Sequence, residues 1–468
     1  MNRGSPRRIV ATAALAFAAT LLCPLRAEQP GTIALAFPEA QAGANGARTL
    51  PQILELSEKN HPNIAQARAK IAQARAQLDQ AHFAPFSQFK LTGGVAIAPV
   101  LGGNNTFSPN TDISLTSSLG VAWRVGIDGV IPVWTFGKIS NLWDAAGANV
   151  RLSEATLEKE RDAVRADVRR AFFGLQLARD AQLLLKDVRS ALDKGRSAMQ
   201  AQIDKDEGDP IDLLKLETYA SEIDVREVEA ERWVKVALAG LRFYTGVADL
   251  DIPASPLRPP RHQLGHITRY LGAASLYRPE IAMVRAGLAA RSAQVQMARA
   301  DIFPDIGVGV QVGLAAAPRI AEQISPYVVD PGNYFRYGAA LVFQWKLDVL
   351  PTLARIRYAE AQLDEVRAQQ RFALGGVGAE VEQAYAEVVD WTKRVAIYGK
   401  AVATAKKWLI TVQSGIDMGT IADKELLEPA KAYAQNRFNQ LNAVMELDLA
   451  MARLAKATGW DSIAPDGT

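Results

Sequence analysis

Two long stretches of the chain place apolar residues at alternating steps of three and four, the spacing that predicts coiled-coil helices. In the second half this stripe runs without a break through Val377–Val412. The same register recurs 213 residues earlier through Val164–Leu192, with Gln182 and Arg189 as polar interruptions. The pattern predicts long helices over residues 139–202 and 352–414. At 1.5 Å per residue the first would be roughly 95 Å long, which is far too long for a compact domain.

Four shorter segments alternate apolar residues with polar or small ones, which is the period of a β-strand with one apolar face. They lie at residues 88–97, 115–128, 306–314 and 335–347. A length of about ten residues is that of transmembrane β-strands. The alternative is a soluble sandwich, which would need a second sheet for which the chain offers no further strands.

Four strands are too few for a closed barrel in one chain. Single-chain membrane barrels begin at about eight strands, and an open edge in lipid would leave backbone groups without hydrogen bonds. No run of 18 or more apolar residues follows residue 27, so the sequence offers no candidate membrane-spanning helix there. If the strands enter a membrane, we expect several chains to share one barrel.

The order of elements occurs twice along the chain. His61–Ile64 matches Arg278–Ile281 at an offset of 217 residues, and Thr245–Gly246 matches Thr458–Gly459 at an offset of 213. This duplication predicts an α+β fold, mainly α, in which each copy contains a strand hairpin and long helices. The predicted boundaries are an N-terminal linker at 28–48, repeat 1 at 49–247 (hairpin 86–131, helices 139–202 and 211–246), a proline-rich linker at 248–265, repeat 2 at 266–460 (hairpin 305–347, helices 352–414 and 421–459) and a C-terminal tail at 461–468.

The N-terminus has the pattern of a secretory signal peptide, because three arginines precede the apolar stretch Ile9–Leu22 and Ala27 offers a cleavage point. Removal of residues 1–27 leaves 49 of the 53 basic residues against 50 acidic ones, so the mature chain gives no reason to expect nucleic acid as a partner. The single cysteine, Cys23, lies in this segment. The alternative to its removal is a lipid anchor, for which Leu22 and Pro24 are poor neighbours.

Paired strands flanked by very long heptad helices, duplicated behind a signal peptide, resemble the outer-membrane efflux protein (TolC) family over about Thr49–Trp460. The resemblance implies a homotrimer in which each chain gives four strands to a twelve-stranded transmembrane β-barrel, continued by a coiled-coil barrel of helices. It also implies an outer-membrane location in a Gram-negative-type envelope, with the helices in the periplasm. The implied partners are outer-membrane lipid, a periplasmic adaptor (membrane fusion protein) and an inner-membrane pump.

The most specific local match is the segment Gly415–Thr420, followed by Glu425-Leu426-Leu427-Glu428, which resembles the family's pattern at the periplasmic helix tip. The resemblance implies that Glu425 and Glu428 line the tunnel entrance, where a threefold axis would make each a ring of three carboxylates that attracts cations. The alternative is that they are ordinary acidic residues favoured near a helix N-terminus. The further entrance candidates are Asp212 and Asp417, and the candidates for adaptor contact are Gly195, Gly208, Asp209, Gly415, Gly419 and Thr420.

The first copy departs from this tip pattern. Asp212 stands opposite Glu425, but Lys215 stands opposite Glu428, and only one glycine is suitably near. A tyrosine that helps lock the family's closed entrance corresponds to Ile416. The resemblance therefore implies a helical tip in both copies, without the family's gating network intact.

Metal and catalytic motifs are weak in this sequence. His262 and His266 are four residues apart but lack the glutamate of an HExxH motif, and the ExxH spacing of Glu58 and His61 is absent from the second copy. We expect no cofactor, no metal and no enzymatic activity.

The hypothesis from the sequence is a passive outer-membrane exit duct of a tripartite efflux pump or a type I secretion system. Two alternatives remain: a periplasmic coiled-coil scaffold or adaptor without a pore, and a metal-dependent enzyme in a helical bundle. The cargo, the type of pump and the resting state of the channel stay open at this point.

Overall fold

The two halves of the chain contain the same succession of helices and strands. The computed structural model describes residues 47–86, 88–102, 114–206, 208–318, 320, 330 and 332–460. The elements of the first half are α1 (Leu50–Asn60), α2 (Pro62–Phe83), β1 (Phe89–Gly102), β2 (Ser114–Trp134), α3 (Lys138–Ile203) and α4 (Pro210–Thr245). Those of the second half are α5 (Ile267–Tyr277), α6 (Pro279–Ala300), β3 (Asp305–Ala316), β4 (Tyr334–Gln344), α7 (Val349–Asp417) and α8 (Leu427–Thr458). The predicted signal peptide with Cys23, most of the N-terminal linker and the C-terminal tail lie outside the described residues.

Equivalent helices of the two halves have equal or nearly equal lengths. α1 and α5 each contain 11 residues, and α2 and α6 each contain 22. The long helices α3 and α7 contain 66 and 69 residues. α4 and α8 both end at a glycine with left-handed backbone, Gly246 and Gly459, each with φ +68°. Glycine adopts this conformation without steric penalty, so the sequence match at these positions reflects a shared helix cap.

The last long helix begins later than the sequence analysis expected. The predicted helix 421–459 is preceded in the structure by a short 3-10 helix at Asp423–Leu426, and α8 begins at Leu427. Pro429 explains the difference. A helix that began at residue 421 would place this proline in its interior, where the missing N–H and the ring clash break the helix, whereas the first turn tolerates it.

The four strands form one antiparallel sheet in the order β1-β2-β3-β4. The predicted second hairpin extended to Leu347, but β4 ends at Gln344, and Trp345 lies beyond it, where its indole N–H donates to the carbonyl of Ile302 at 2.9 Å. The strand ends here because Gln344 pairs with Asp305, the first residue of β3, so that Trp345 has no partner in the sheet. Among the described residues β1 and β4 are the edges, so the sheet of one chain is open on both sides.

The register of the sheet places the apolar residues of all four strands on one face. Leu91 pairs with Ile127, Ile127 with Val312 and Val312 with Tyr337, and directly paired residues of antiparallel strands share a face. This face is not covered within the chain, because Leu91 is 65% exposed and Tyr337 is 77% exposed. An exposed apolar face of this extent marks a surface that contacts lipid or another protein.

The long helices pack along the heptad stripe expected from the sequence. In the first copy the stripe of α3 is buried against α1, α2 and α4, and in the second copy the stripe of α7 is buried against α5 and α8. The buried valine and leucine residues of the stripe are Val164, Val168, Leu175 and Leu192 in α3, and Val377, Val381, Val388 and Val412 in α7. Burial of each such side chain stabilises the fold by about 1.5–3 kcal/mol.

The segment between the two copies contains no helix, but it packs on the first copy. Leu250, Ile252 and Leu257 are buried, and Arg179 of α3 donates to the carbonyl of Ile252 at 3.0 Å and pairs with Asp251. The linker therefore ties the start of the second copy to the middle of α3. None of the helices in the described ranges carries an apolar stretch long enough to cross a membrane.

Candidate channel entrance at the helix tips

The turns that join the long helices to their partners come together at one end of the molecule. The first turn joins α3 to α4 over residues 204–209, and the second joins α7 to α8 over residues 418–426. Leu427 packs with Leu192 and Tyr219, and Lys424 Nζ lies 3.8 Å from Asp212 Oδ2. The structure thus brings the two tip segments that the sequence analysis singled out into contact.

The tip of the second copy depends on both of its glycines. Gly419 has φ +72°, a left-handed conformation. The carbonyl of Gly415 accepts hydrogen bonds from the backbone N–H groups of Thr420 at 2.9 Å and Ile421 at 3.2 Å, and from Thr420 Oγ1 at 3.0 Å. A Cβ added to Gly415 would lie 2.7 Å from Ile421 Cγ1, so a larger residue there would have to displace the Ile421 side chain. Gly415 and Gly419 are therefore structural residues of the turn.

The tip of the first copy forms a similar turn with different residues. Asp206 has φ +59° and stands 213 residues before Gly419, so the left-handed position is kept without a glycine. A Cβ added to Gly208 would lie 2.9 Å from the backbone N of Ile203. Gly208 is equivalent to Ile421 of the second copy. In the first copy the glycine of this close contact follows the turn, whereas in the second copy it is Gly415, which precedes the turn. The glycine pattern did not indicate that Asp206 would hold the left-handed position, although aspartate is among the residues that adopt this conformation most readily.

Asp209 and Asp212 have separate roles at the start of α4. Asp209 is the N-cap, and its Oδ1 accepts from the backbone N–H of Ile211 at 2.8 Å. Asp212 Oδ1 accepts from Lys215 Nζ at 2.9 Å, while its Oδ2 faces Lys424 of the other copy. The hydrogen bond from Lys215, aided by the charge of Lys424, holds the pKa of the Asp212 carboxyl below its usual value. Asp212 is therefore ionised at neutral pH and joins the two tips.

Glu425 and Glu428 lie side by side on the exposed surface of the second tip. Glu425 belongs to the 3-10 helix and Glu428 to the first turn of α8, and both side chains are exposed. Neither carboxylate forms an ion pair with any residue of the described chain. Leu427, between them, packs inward against the cluster that contains Leu192, Leu216 and Tyr219. This packing fixes the start of α8 and leaves both carboxylates free for other molecules.

The remaining candidates lie at different depths of the tip. Asp417 is exposed at the end of α7, where its Oδ1 accepts from Gln413 Nε2 at 3.0 Å. Gly195 lies inside α3, and a Cβ added to it would lie 3.4 Å from Leu216 Cδ1. The structure places Gly195 on the seam between α3 and α4, two turns above the end of α3, and not in the turn itself.

Tyr219 anchors the contact between the two copies. Its side chain is buried, and Lys431 Nζ lies 5.3 Å from the centre of its ring. Burial raises the pKa of the Tyr219 hydroxyl. Tyr219 and Lys431 were not identified from the sequence, because Tyr219 has no distinguishing motif and Lys431 lies outside the tip pattern.

Among the described residues no group of three or more histidine, cysteine, aspartate or glutamate side chains is placed to hold a metal ion. The chemistry available at the tip is therefore that of exposed carboxylates, one ion pair between the copies and glycine-dependent turns. Such groups attract ions and restrain two helix ends, and they supply no nucleophile with its base.

The family model for outer membrane efflux proteins matches the chain in two segments, residues 53–247 and 271–460. Protein CyaE of Bordetella pertussis is 29% identical over 181 residues, a match that spans 38% of this chain and 37% of that protein. The outer-membrane channel OprN is a structural neighbour with a TM-score of 0.72, 18% identity and coverage of 88% of this chain and 89% of that one. The outer membrane protein VceC from Vibrio cholerae gives a TM-score of 0.71, 16% identity, and coverage of 88% and 96%.

Proposed function

Since the chain belongs to the outer membrane efflux protein family, we propose that it is the exit duct of a tripartite efflux pump or a type I secretion system. The family and the fold are those of channel proteins of the outer membrane, with the helical part in the periplasm. The observation that carries the proposal is the combination of one open, apolar-faced sheet with two pairs of long helices whose tips meet.

The open sheet supports a homotrimer. One chain contributes four strands with both edges unpaired among the described residues, and the exposed apolar face suits lipid. A lipid-embedded sheet must close, because unpaired backbone groups are strongly unfavourable in hydrocarbon. Three chains would give twelve strands, above the minimum of about eight for a membrane barrel. The long helices would then continue the barrel as a tunnel into the periplasm.

The exposed carboxylates support an entrance at the tips. On a threefold axis Glu425 and Glu428 would form two adjacent rings of three carboxylates, which attract cations and hold back anions. Asp212 and Asp417 would add charge at the same level, although Asp212 is partly neutralised by Lys215 and Lys424. In this proposal the ion pair of Asp212 with Lys424 restrains the closed entrance.

The turns support docking of a partner. We place the contact with a periplasmic adaptor at the two tip segments, on the exposed surface around Gly208, Asp209, Gly419 and Thr420, with Gly415 in the second turn and Gly195 on the seam between α3 and α4. Energy for transport would come from an inner-membrane pump joined through that adaptor. The duct itself would be passive.

The oligomeric state tests the proposal against a scaffold without a pore. The full chain, extracted from membranes in detergent, should have the mass of three copies by native mass spectrometry. A scaffold or adaptor would remain soluble and monomeric without detergent, and this result would exclude the channel.

The entrance role is tested by a Glu425→Ala, Glu428→Ala double variant in planar bilayers. We expect its preference for cations to fall several-fold, because six carboxylates leave the entrance of the trimer. A Glu227→Ala, Glu231→Ala variant in the middle of α4 makes the same change of charge away from the tip and should retain the preference. If the Glu425, Glu428 variant keeps its ion selectivity and conductance, these residues do not line the entrance.

A further inference from the structure

Three glycines lie within four residues of the long helix α7, at Gly375, Gly376 and Gly378. The helix runs through them without a break, from Val349 to Asp417. A Cβ added to any of the three would meet no atom of the described chain within 4 Å, apart from the backbone of its own helix turn. Packing inside the chain therefore does not require glycine here. What the glycines change is the helix itself, because glycine gains the most backbone freedom when a helical turn opens.

The glycines lie where α7 changes its packing partners. On the N-terminal side of the glycines, α7 is held to α6 by the ion pair between Glu360 and Arg299 at 2.7 Å and by a hydrogen bond from Arg291 to Gln362 at 2.9 Å. On the C-terminal side, towards the tip, α7 packs on α8, with Glu387 paired to Arg453 at 2.9 Å. A weak turn at such a boundary allows one packed unit to rotate relative to the other.

A fixed point lies directly below the glycines. Arg278, the residue before α6, is buried and pairs with both Glu380 of α7 and Glu280 of α6. This contact holds Glu380 beside the start of α6. Bending of α7 is therefore concentrated in the two turns above Glu380, with the Arg278 contact as its pivot.

The first copy is built differently at the same positions. The residues equivalent to the three glycines in α3 are Asp162, Ala163 and Arg165. Arg165 pairs with Asp162 at 3.2 Å within α3 and with Glu58 of α1 at 2.6 Å. These contacts brace α3 against its neighbour. One long helix is thus stiffened where the other carries three glycines, although the two copies share the same fold.

We propose that Gly375–Gly378 is a hinge that lets the lower part of α7, together with α8, swing while α3 and α4 stay in place. This proposal rests on the function proposed above, because it assigns the residues at which α7 bends when the entrance opens. The tip at Asp417 lies 39 residues below Gly378, or roughly 60 Å along the helix. A bend of about 10° at the hinge moves the tip by about 10 Å over that length. Such a movement separates Lys424 from Asp212 and carries Glu425 and Glu428 away from the axis.

The test replaces all three glycines with alanine in the full-length trimer. Met418, which is 71% exposed at the tip, is changed to cysteine and spin-labelled, and the distances between the three labels are measured by pulsed electron paramagnetic resonance. Each replacement should favour the intact helix by about fivefold. We expect the population of widely separated tips to fall tenfold or more, with a similar fall in the open probability of the channel.

Gly174→Ala is the matched control. Gly174 lies inside α3, and a Cβ added to it would also meet no atom of the described chain within 4 Å beyond its own helix backbone. Because α3 is not the moving helix, this variant should leave the distances between tips unchanged. Circular dichroism and native mass spectrometry establish that every variant is helical and trimeric.

Two results would overturn the hinge. The triple variant could show the same tip distances as the unmodified protein, in which case the glycines do not govern the movement. It could instead fail to form a trimer, in which case the glycines provide close packing between neighbouring chains. Failure of the proposed function is recognised separately, since an unmodified protein that is trimeric but forms no channel still allows the tip distances to be compared.

Discussion

Asp212 in the first copy and Lys424 in the second approach each other at the tip, with 3.8 Å between Oδ2 and Nζ. The pair joins the start of α4 to the 3-10 helix before α8, so it spans the two helix pairs that must part if the entrance opens. Lys215 also contacts Asp212, at 2.9 Å, but it lies in the same helix turn. The two lysines therefore provide a natural comparison.

Replacement of Lys424 should weaken the closed entrance. We expect Lys424→Gln to raise the open probability in planar bilayers by about two- to fivefold, because an exposed ion pair contributes modestly and is screened by salt. Lys215→Gln removes the other cation of Asp212 without cutting a contact between the copies and should have little effect. Equal effects of the two variants would show that only the local charge matters.

The same pair sets the expected response to acid. The pKa of Asp212 is lowered, first by the hydrogen bond from Lys215 and then by the charges of Lys215 and Lys424. A carboxylate with a lowered pKa contributes its full stabilisation above its ordinary pKa and loses it as the pH falls through the lowered value. The contact should therefore persist throughout the neutral and mildly acidic range. If open probability rises with acid between pH 7 and pH 5, another group is responsible.

The left-handed residues of the two tips predict opposite effects of substitution. Gly419→Ala places a Cβ at φ +72° and should destabilise the second tip by about 1 kcal/mol. Asp206→Gly relieves the same conformation at φ +59° and should be neutral or stabilising for the first tip. Hydrogen exchange of the tip amides measures both effects. Faster exchange at both tips would contradict the equivalence of Asp206 and Gly419.

Asp448 should make the protein less stable at neutral pH than at pH 4. It is buried in α8, its Oδ2 has no hydrogen-bond partner among the described residues, and burial raises its pKa to about 7. Its unfolded form ionises near pH 4, so stability falls as the pH rises from about 4 to 7, by up to about 4 kcal/mol.

Asp448→Asn removes this titration and should raise the melting temperature at pH 8 while changing it little at pH 4. Asp364→Asn is the control, because the Asp364 side chain is 70% exposed on α7. If Asp448→Asn melts at the same temperature as the unmodified protein at pH 8, the Asp448 carboxylate has a hydrogen-bond or ion-pair partner in the assembled molecule.

Local patterns were sufficient to predict the elements. The heptad stripe and the alternation of the strands depend on residues close in sequence, so the long helices and the single apolar sheet face followed from spacing alone. The predicted start of α8 at residue 421 followed from the tip pattern, whereas the helix begins at Leu427, which places Pro429 in the first turn, where proline is tolerated. The end of β4 was also missed, because it depends on where the partner strand β3 begins, at Asp305.

The tip was predictable as a place and less so as a set of contacts. The resemblance to the family's tip pattern pointed to Gly415 and Gly419, and both lie in the turn, Gly419 with a left-handed backbone. The contact of Lys424 with Asp212 joins residues more than two hundred positions apart, and it depends on how the two copies pack. The same holds for Tyr219 beneath Lys431. Such contacts belong to tertiary structure, and no local pattern indicates them.

Single-channel recording tests most directly whether the trimer of this chain forms a pore. The full chain is purified in detergent, its trimer is inserted into a planar bilayer, and current is recorded in a salt gradient. We expect discrete conductance steps that favour cations, with a higher open probability for Lys424→Gln. A protein that is folded and helical but gives no steps, with or without this substitution, would contradict it.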